Sequence, residues 1–247
     1  MDISRIKEDT ELTVANTGGF HVGDHIVIQE KVDGSNSAIA YDKEVNRLVA
    51  FSRRQTLDYN NTLNGFWNWV QTLAVEPFSK YPNYVFFGEW LTSHTIKYIQ
   101  DAYKKFYFYD VYDKENECYL PQSEVKRLAD ELNLRYVQTF YDGEFVSWEH
   151  CMSFMHKSDI AVDVPEGIVV KNQTELNNPN SRTPFVLKIV NSQFSEIKKD
   201  NHRQKVEDPQ KLAAKSKASE IVEQIVTKNR VQKELYKMID EGVLPQK

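Results

Sequence analysis

Short β-prone runs, separated by turn-forming residues, recur along the chain from Val22 to about Val190. These runs are rich in β-branched and aromatic residues, a composition that favours strands. They are "HIVIQEKV", "NSAIAYD", "RLVAFSR", "NYVFFGEWL", "KFYFYDVYD", "EGIVVKN" and "FVLKIVNS". We therefore predict a β-rich region, with intervening helices, over most of the chain.

Two segments within this region have helical patterns. "TLNGFWNWVQTLAVEPF" carries apolar residues at helical spacing and ends at Pro77, and "PQSEVKRLADELN" forms a second helix with Ser123 as its predicted N-cap residue. After Asp200 the composition changes to good helix formers, with a proline at a helix start and a glycine near the end. We predict one domain over residues 1–200 and a small helical appendage over residues 201–247.

Composition and cysteine usage indicate the class of protein. The 247 residues are 40% apolar and 12% aromatic, which is enough for one packed domain with a small appendage. We find neither a membrane-spanning apolar segment nor the pattern of a signal peptide. Cys118 and Cys151 cannot form a disulfide framework, and no Cys/His cluster has zinc spacing. These features predict a soluble, cytoplasmic protein without a membrane partner.

The net charge of −5 argues against a chain that coats nucleic acid non-specifically. Two basic stretches, "KNRVQK" and "EIKKDNHRQK", are candidates for a local phosphate-binding surface. A run of charges is nevertheless more often a solvated face.

Five short polar signals lie within the β-prone runs or at their ends. In chain order they are Lys31 with Asp33, Gly34 and Asn36; Arg53 and Arg54; Glu89; Glu166 and Lys171; and Lys188. Each signal taken alone has an ordinary explanation, since charges often lie at strand ends and Asp-Gly favours turns wherever it occurs. Lys31 alone is either a surface charge or a nucleophile held between two strands.

Taken in order, the signals resemble the motifs of the covalent nucleotidyltransferase superfamily, which contains ATP-dependent DNA ligases, RNA ligases and mRNA capping enzymes. "EKVDGSN" resembles its motif I, "FFGEW" motif III, "KFYFYDVY" motif IIIa, "EGIVVK" motif IV and "LKIVNSQFSE" motif V. The asparagine five residues after the lysine, and the Asn-x-x-Phe-x-Glu end of motif V, resemble the nick-sealing RNA ligases, the second of the two phage RNA ligase groups. The resemblance runs from about Gln29 to Glu196. It implies an α+β fold: an ATP-grasp-like ligase adenylation domain of antiparallel sheets with helices, plus a short helical C-terminal tail.

The resemblance implies that Lys31 attacks the α-phosphorus of ATP to give a lysyl-AMP adduct. A free lysine has a pKa near 10.4, so nearby cations or desolvation must lower the pKa of an attacking amine. Lys171 and Lys188 are the implied cations, and they would also neutralise charge on the α-phosphate. Glu166 is the implied carboxylate for Mg²⁺ (or Mn²⁺), which bridges the triphosphate.

The aromatic run of motif IIIa implies a stacking partner for adenine. Strand alternation places Tyr107 and Tyr109 on one face and Phe106 and Phe108 on the other. Matching the aromatic residue that precedes the motif's aspartate selects Tyr109, with Tyr107 beside it. Asp110 is a weaker candidate for a site role.

The remaining contacts of the nucleotide and the nucleic acid are implied in the same way. Glu89 would accept hydrogen bonds from the ribose, and Glu30 would contribute to the nucleotide site beside the nucleophile. Arg53 or Arg54 would contact phosphate, and the pattern leaves open which of them does so. Asn36 would position the 5′-phosphate end of the nucleic acid.

The chain departs from the family pattern in two places. Motif V normally has two lysines separated by one residue, whereas this chain has Lys188 at the first position and Val190 at the second. The missing cation should weaken lysine activation or phosphate binding, and we expect Lys171 or a lysine outside the motifs to compensate. About 45 residues remain for the C-terminal domain, so we expect weak intrinsic duplex binding that a partner could supply.

The predicted function is therefore that of an ATP-dependent RNA ligase in RNA repair. AMP would pass from the lysine to a 5′-phosphate, and a 3′-hydroxyl would then attack to form a phosphodiester. The expected partners are RNA with these ends, as a nicked duplex, and an end-healing protein.

Three alternatives stay open. One is a self-adenylylating protein whose sealing is weak or depends on a partner. Another is a DNA ligase or a GTP-using capping enzyme, which the lack of room for an OB-fold after motif V disfavours. The last is a non-catalytic nucleic-acid-binding relative. Such a binder would not need the nucleophile Lys31, so retention of the lysine with its acids argues against it.

Overall fold

The computed structural model describes residues 4–9, 12, 17, 19–177 and 185–194, and the fold below is that of these residues. They form two sheets with a few short helices. The strands are β1 (Ser4–Lys7), β2 (His25–Glu30), β3 (Ser35–Asp42), β4 (Arg47–Ser52), β5 (Tyr84–Trp90), β6 (Phe106–Asp113), β7 (Cys118–Tyr119), β8 (Arg135–Tyr136), β9 (Thr139–Glu144), β10 (Gly167–Asn172) and β11 (Val186–Val190). The helices are α1 (Phe66–Val70), α2 (Glu76–Ser79), α3 (Gln122–Glu131) and α4 (Trp148–Met152), with a 3₁₀ turn at Gln100–Ala102.

The first sheet has the strand order β1-β11-β10-β2-β9. Its neighbours are antiparallel except for β1 and β11, which run parallel. One face is apolar. The side chains of Ile28, Ile168 and Ile189 on this face lie in a buried cluster with Cys151 of α4 and Met155, which follows α4. Side chains alternate along a strand, so the other face carries the intervening residues.

The second sheet has the strand order β4-β3-β5-β6-β7, and β8 adds to it in parallel beside β6. Its apolar face packs Phe86, Phe106 and Phe108 against Phe66 of α1 and Leu128 of α3. The pairing of β5 with β6 shifts between Phe87 and Gly88. This irregularity leaves one residue of β6, Tyr109, without a register partner and reorients the strand beyond it.

A third buried cluster joins the two sheets. It contains Tyr107 of β6 and Val190 of β11, together with Val32, Leu91 and Val137. The chain crosses from one sheet to the other directly beside this cluster, since β2 ends at Glu30 and β3 begins at Ser35. The Asp-Gly segment therefore links strands of different sheets.

The predicted β-prone runs correspond to observed strands, and the α+β architecture with mainly antiparallel sheets is confirmed. The continuous helix predicted over residues 62–77 is wrong, because this segment forms the short helix α1 and the start of a second one, α2. Pro77 lies at the start of α2. A proline lacks an N–H group and fits the first turn of a helix, so it begins a new helix here instead of ending a long one.

The predicted N-cap at Ser123 is also wrong. Helix α3 begins at Gln122, and its N-cap is Pro121 in an extended conformation. The carbonyl of Pro121 accepts hydrogen bonds from the N–H groups of Glu124 and Val125, at 3.0 and 3.1 Å. The N–H of Gln122 donates to Oε1 of Gln173 at 2.8 Å. A side chain distant in sequence therefore binds an N–H group of the first helical turn, which has no partner within the helix.

The helical appendage predicted over residues 201–247 lies outside the described residues, as does Glu196 at the end of motif V. Within the described part of the chain, no helix combines the length and apolarity needed to cross a membrane.

Candidate active site

Lys31 directly follows β2, where the chain leaves the first sheet. Its Nζ lies 2.6 Å from Oε2 of Glu166, and the two side chains are 14% and 4% exposed. The N–H of Lys31 donates to the carbonyl of Gly167 at 3.0 Å, which fixes the end of β2 against β10. Partial exclusion of water strengthens the attraction between the two charges. The amine is therefore held in one place by a short ion pair.

Glu89 contributes a second acid from the other sheet. It lies on β5, where its register partners are Asn36 of β3 and Tyr107 of β6. Burial raises the pKa of Glu89 to about 7, although the positive charges of Lys31 and Lys188 act in the opposite direction. Its Oε2 is buried and has no hydrogen-bond partner among the described residues. A buried, unpaired acceptor is uncommon and points to a ligand that supplies the donor.

Lys188 lies on β11, opposite Val169 of β10. Burial lowers its pKa, and the neighbouring charge of Lys31 lowers it further, while Glu89 opposes both effects. Each of these residues affects the titration of another, so the acids and cations of both sheets converge. The predicted residues Lys31, Glu89, Glu166 and Lys188 thus form one cluster.

Lys171 is the centre of a hydrogen-bonded network that adjoins this cluster. Its Nζ donates to Oδ1 of Asp110 at 2.8 Å and to the carbonyl of Tyr109 at 2.7 Å. The hydroxyl of Tyr109 accepts a hydrogen bond from Nδ2 of Asn36 at 2.7 Å. Burial lowers the pKa of Lys171, and Asp110 counteracts this effect. The charge of Lys171 is therefore balanced locally, and its contacts fix Tyr109 at the irregular pairing of β5 and β6.

The two tyrosines of motif IIIa have different surroundings. Tyr107 is buried in the cluster between the sheets, its hydroxyl donates to the carbonyl of Ala102 at 3.0 Å, and the guanidinium of Arg135 lies 4.9 Å from its ring centre. Tyr109 is linked to Asn36, which pairs with Glu89. The structure thus brings Tyr109, and not Tyr107, into the network beside the acids.

Glu30 directly precedes Lys31 and is also buried. Its carboxyl accepts a hydrogen bond from the hydroxyl of Ser158. That hydroxyl oxygen accepts in turn from the N–H groups of Ile160 and Ala161, at 3.1 and 2.8 Å. Burial raises the pKa of Glu30 to about 7, and the bond from Ser158 lowers it by a smaller amount. Its contacts therefore fix the 158–161 segment against the end of β2.

Asp33 holds the crossover between the sheets, a contact that the sequence reading missed. Its Oδ2 accepts hydrogen bonds from the N–H groups of Thr95 and Ile96, at 2.9 and 3.1 Å, and its own N–H donates to the hydroxyl of Tyr98 at 2.7 Å. An Asp-Gly pair predicts a local turn. The partners of Asp33 are more than sixty residues away in sequence, so local pattern carries no signal for them.

Arg53 and Arg54 lie in an exposed turn after β4, closed by a hydrogen bond of 2.9 Å from the N–H of Ser52 to the carbonyl of Gln55. Ser52 pairs with Ser37 of β3. The arginines therefore follow β4 at the end of the sheet where β3 begins with Ser35 and Asn36. The register of β3 and β4 places Arg53 and Arg54 at the same end of the sheet as Asn36. It does not distinguish which of the two arginines would contact phosphate.

Glu166 is the carboxylate that could hold a metal ion. Among the described residues there is no group of three or more His, Cys, Asp or Glu side chains arranged to hold a metal. Mg²⁺ usually binds through one or two carboxylates, with substrate phosphates and water completing its octahedral shell. The single carboxylate of Glu166, 2.6 Å from Nζ of Lys31, fits such a shared site better than a metal centre made of protein ligands alone.

A lysine held by a carboxylate where two mainly antiparallel sheets meet, with a second acid and a second cation beside it, is an arrangement suited to nucleophilic chemistry at the lysine. The family model described as RNA ligase matches residues 24–190, which is more than half of the 247 residues. The chain belongs to the RNA ligase family.

Solved structures of other proteins have the same fold. An RNA ligase of Naegleria gruberi with PPi aligns with a TM-score of 0.51 at 19% identity, over 72% of this chain and 53% of that one. A variant of the Naegleria gruberi ligase with ATP and Mn gives a TM-score of 0.53 at 19% identity, over 72% and 53%. An archaeal ATP-dependent RNA ligase gives 0.52 at 21% identity, over 70% and 44%.

This chain thus spans about half the length of the ligases it resembles. No curated protein sequence matches it closely enough to count as a relative. The family assignment therefore depends on the family model, and the solved structures add the fold.

Proposed function

We propose that the protein is an ATP-dependent RNA ligase that works through a covalent lysyl-AMP adduct. The observation that carries this proposal is the ion pair of 2.6 Å between Lys31 and Glu166, beside Glu89 and Lys188. A lysine that is held by one acid and lies near a second acid and a second cation is suited to a nucleophilic role.

In the first step Nζ of Lys31 attacks the α-phosphorus of ATP, and the bond to the pyrophosphate leaving group breaks. The ammonium must first lose a proton, and Oε2 of Glu166 is within hydrogen-bonding reach of it. Lys188 neutralises negative charge that develops on the α-phosphate. Glu89 has a free, buried oxygen that can accept a hydrogen bond from the ribose.

Tyr109 is the proposed stacking partner of adenine. Its backbone is held by Lys171 and its hydroxyl by Asn36, so the ring is positioned before a nucleotide binds. A divalent metal at Glu166 would neutralise triphosphate charge and improve pyrophosphate as a leaving group. The Naegleria gruberi structures with ATP and Mn and with PPi support a nucleotide, a metal and this product at the site.

In the later steps AMP passes from Lys31 to the 5′-phosphate of an RNA strand, and a 3′-hydroxyl attacks that activated phosphate and releases AMP. The exposed turn with Arg53 and Arg54, together with Asn36, is the proposed contact surface for the 5′-phosphate end. We propose a nicked duplex as the substrate, recognised by backbone shape and 2′-hydroxyls, and an end-healing protein as the partner that prepares these ends.

Self-adenylylation tests the first step directly. The protein is incubated with Mg²⁺ and ATP labelled at the α-phosphate, and the label is followed on a denaturing gel. We expect covalent label on the wild type and on Lys43→Ala, which removes an exposed lysine from the turn after β3, and none on Lys31→Ala. Equal label on all three proteins, or on none of them, contradicts the proposal.

Sealing tests the substrate separately. A nicked duplex with a 5′-phosphate is offered with either RNA or DNA on the 3′-hydroxyl side. We expect joined product with RNA and much less with DNA. A protein that labels itself but joins neither nick is a self-adenylylating protein that lacks intrinsic sealing.

A further inference from the structure

Gln122 is a buried glutamine at the first position of helix α3. It is 3% exposed, and a buried amide side chain is unfavourable unless its polar atoms are hydrogen-bonded. The residue lies outside the segments that resemble the superfamily's motifs. Its hydrogen-bond partners nevertheless connect it to the candidate site.

The contacts of Gln122 fix the orientation of its amide group. Its Oε1 accepts hydrogen bonds from the hydroxyl of Tyr136 at 2.6 Å and from Nε2 of Gln29 at 2.9 Å. Its Nε2 donates to Oδ1 of Asp110 at 2.8 Å, and an ionised carboxylate can only accept. The backbone is also held, because the N–H of Gln122 donates to Oε1 of Gln173. The NH₂ group therefore faces Asp110 and the oxygen faces away from it.

Asp110 is the residue on which Gln122 and Lys171 converge. Nζ of Lys171 donates to the same Oδ1 atom at 2.8 Å. Lys171 is 2% exposed, and a buried ammonium without its carboxylate is strongly unfavourable. The donor from Gln122 holds this carboxylate from the side of α3, so the carboxylate stays within reach of Lys171.

Lys171 in turn holds Tyr109. Its Nζ donates to the carbonyl of Tyr109 at 2.7 Å and lies 5.4 Å from the centre of the ring. Tyr109 has no register partner on β5, and regular pairing resumes at Asp110, opposite Phe87. The backbone of Tyr109 therefore depends on side-chain contacts at this point, and a displaced Asp110 would release Lys171 and Tyr109 together.

We propose that Gln122 is a positioning residue of the nucleotide site, which holds Asp110 and thereby fixes Lys171 and the ring of Tyr109 where adenine stacks. The inference rests on the proposed stacking role of Tyr109. Gln122 acts through Asp110 and touches neither base nor phosphate, so its loss should weaken the binding of an adenine nucleotide more than that of a ligand without the base. Helix α3 is thus linked to the site from outside it.

Equilibrium binding tests this role without turnover. The ligands are AMP, which carries adenine, and inorganic pyrophosphate with Mg²⁺, which lacks it, and calorimetry gives the Kd of each alone. For Gln122→Met we expect the Kd of AMP to rise about five- to tenfold and the Kd of pyrophosphate to stay within about twofold of the wild type. Gln122→Glu keeps an acceptor for Tyr136 and Gln29 but places a second carboxylate against Asp110, so it should lose at least as much affinity for AMP.

Two controls separate this role from stability alone. Tyr136→Phe removes a donor to Oε1 of Gln122 and leaves the contact of Nε2 with Asp110. We expect it to lower the free energy of unfolding, measured in urea, and to keep the Kd of AMP within about twofold of the wild type. Gln71→Met replaces an exposed glutamine after α1 and should match the wild type in both measurements.

A double-mutant cycle shows whether Gln122 acts through Tyr109. In the background of Tyr109→Leu, the substitution Gln122→Met should change the Kd of AMP by less than about twofold. An equal change in both backgrounds overturns the inference, as does a Kd of AMP that stays unchanged in Gln122→Met or in Tyr109→Leu alone. An equal loss of pyrophosphate binding also overturns it, since that indicates a disturbed fold. No step of these measurements forms lysyl-AMP, so a failure of the labelling experiment would contradict the proposed reaction and leave the result for Gln122 interpretable.

Discussion

At the scale of single residues, the ion pair of Lys31 and Glu166 is the most sensitive feature of the site. Both charges are largely withdrawn from water. Removal of one partner from a buried pair leaves an uncompensated charge, whereas removal of both can be nearly neutral. The pair should therefore show strong coupling.

A double-mutant cycle measures this coupling. We expect Lys31→Met and Glu166→Gln each to lower the free energy of unfolding, and the double variant to lose less than the sum, with an interaction of about 1–3 kcal/mol. Urea unfolding of the four proteins gives the value. The same cycle on the exposed pair Lys80 and Glu131 should give less than about 1 kcal/mol. Additive effects at Lys31 and Glu166 would contradict the ion pair.

Glu30 makes stability depend on pH. Its pKa in the folded protein is about 7, above the ordinary 4.5, because burial disfavours the charged form. The folded state then holds a proton more tightly than the unfolded chain does. The stability from this group is fully present below pH 4.5 and is lost as the pH rises through 7.

Replacement of Glu30 by glutamine removes this titration and keeps an acceptor for Ser158. We expect the unfolding free energy of the wild type to fall relative to that of Glu30→Gln by on the order of 3 kcal/mol between about pH 4.5 and pH 8. Urea unfolding at several pH values gives the difference. Glu44→Gln, in an exposed turn, serves as the control and should follow the wild type. If the unfolding free energies of the wild type and Glu30→Gln changed in parallel with pH, the carboxyl of Glu30 would be excluded as the source of the pH dependence.

At the scale of elements, the pairing of β5 with β6 determines the position of Tyr109. Gly88 lies at the irregularity, and a Cβ atom there would be 2.4 Å from the ring of Phe106 and 2.7 Å from the carbonyl of Tyr107. Those distances exclude any side chain unless the two strands move apart. The glycine therefore permits the close contact that displaces Tyr109 from regular pairing.

Gly88→Ala should lower the free energy of unfolding by about 2–4 kcal/mol, since an added methyl group must displace an aromatic ring and backbone. Thermal and urea unfolding measure the loss. Because the ring of Phe106 is the nearest obstacle, the second substitution Phe106→Leu should recover part of it. An alanine variant as stable as the wild type would show that the strands have room at this point.

At the scale of the whole molecule, the two sheets are joined at the crossover and by their shared buried cluster. Asp33 connects that crossover to the 95–98 segment through two accepted hydrogen bonds and one donated bond. This crossover lies between the sheet of Lys188 and the sheet of Glu89. Asp33 is thus expected to position the site without touching the reacting atoms.

Asp33→Ala should lower the unfolding free energy by about 1–3 kcal/mol, because two N–H groups lose a charged acceptor. Asp33→Asn keeps an oxygen acceptor and should lose less. Asp163→Ala, an exposed residue of a nearby loop, should leave stability unchanged. Amide exchange at Thr95 and Ile96 gives a local readout, and unchanged protection there in Asp33→Ala would contradict the proposed connection.

Local pattern was sufficient for most strands of the fold. The runs around Ile28, Phe86 and Ile189 are β-prone whatever residues they contact. In the run that forms β6, the alternation of side chains correctly assigned Phe106 and Phe108 to a face different from that of Tyr107. The two-residue strands β7 and β8, strand β9 and the parallel strand β1 were not predicted. Strands β1, β8 and β9 are stabilised by pairing with distant segments, which local propensity does not report. Strand β7 is too short to form a β-prone run of its own.

The amino-acid sequence specifies which chemical groups the protein can bring to a site: a lysine after a strand, acids and cations at the ends of others, and a valine at position 190. Which of these groups meet is set by the three-dimensional arrangement of the strands. The ion pair of Lys31 with Glu166 and the hydrogen bond between Asn36 and Tyr109 depend on strand order and register. Side-chain faces follow from local alternation, but the neighbours across a sheet are set by pairing between residues far apart in the chain.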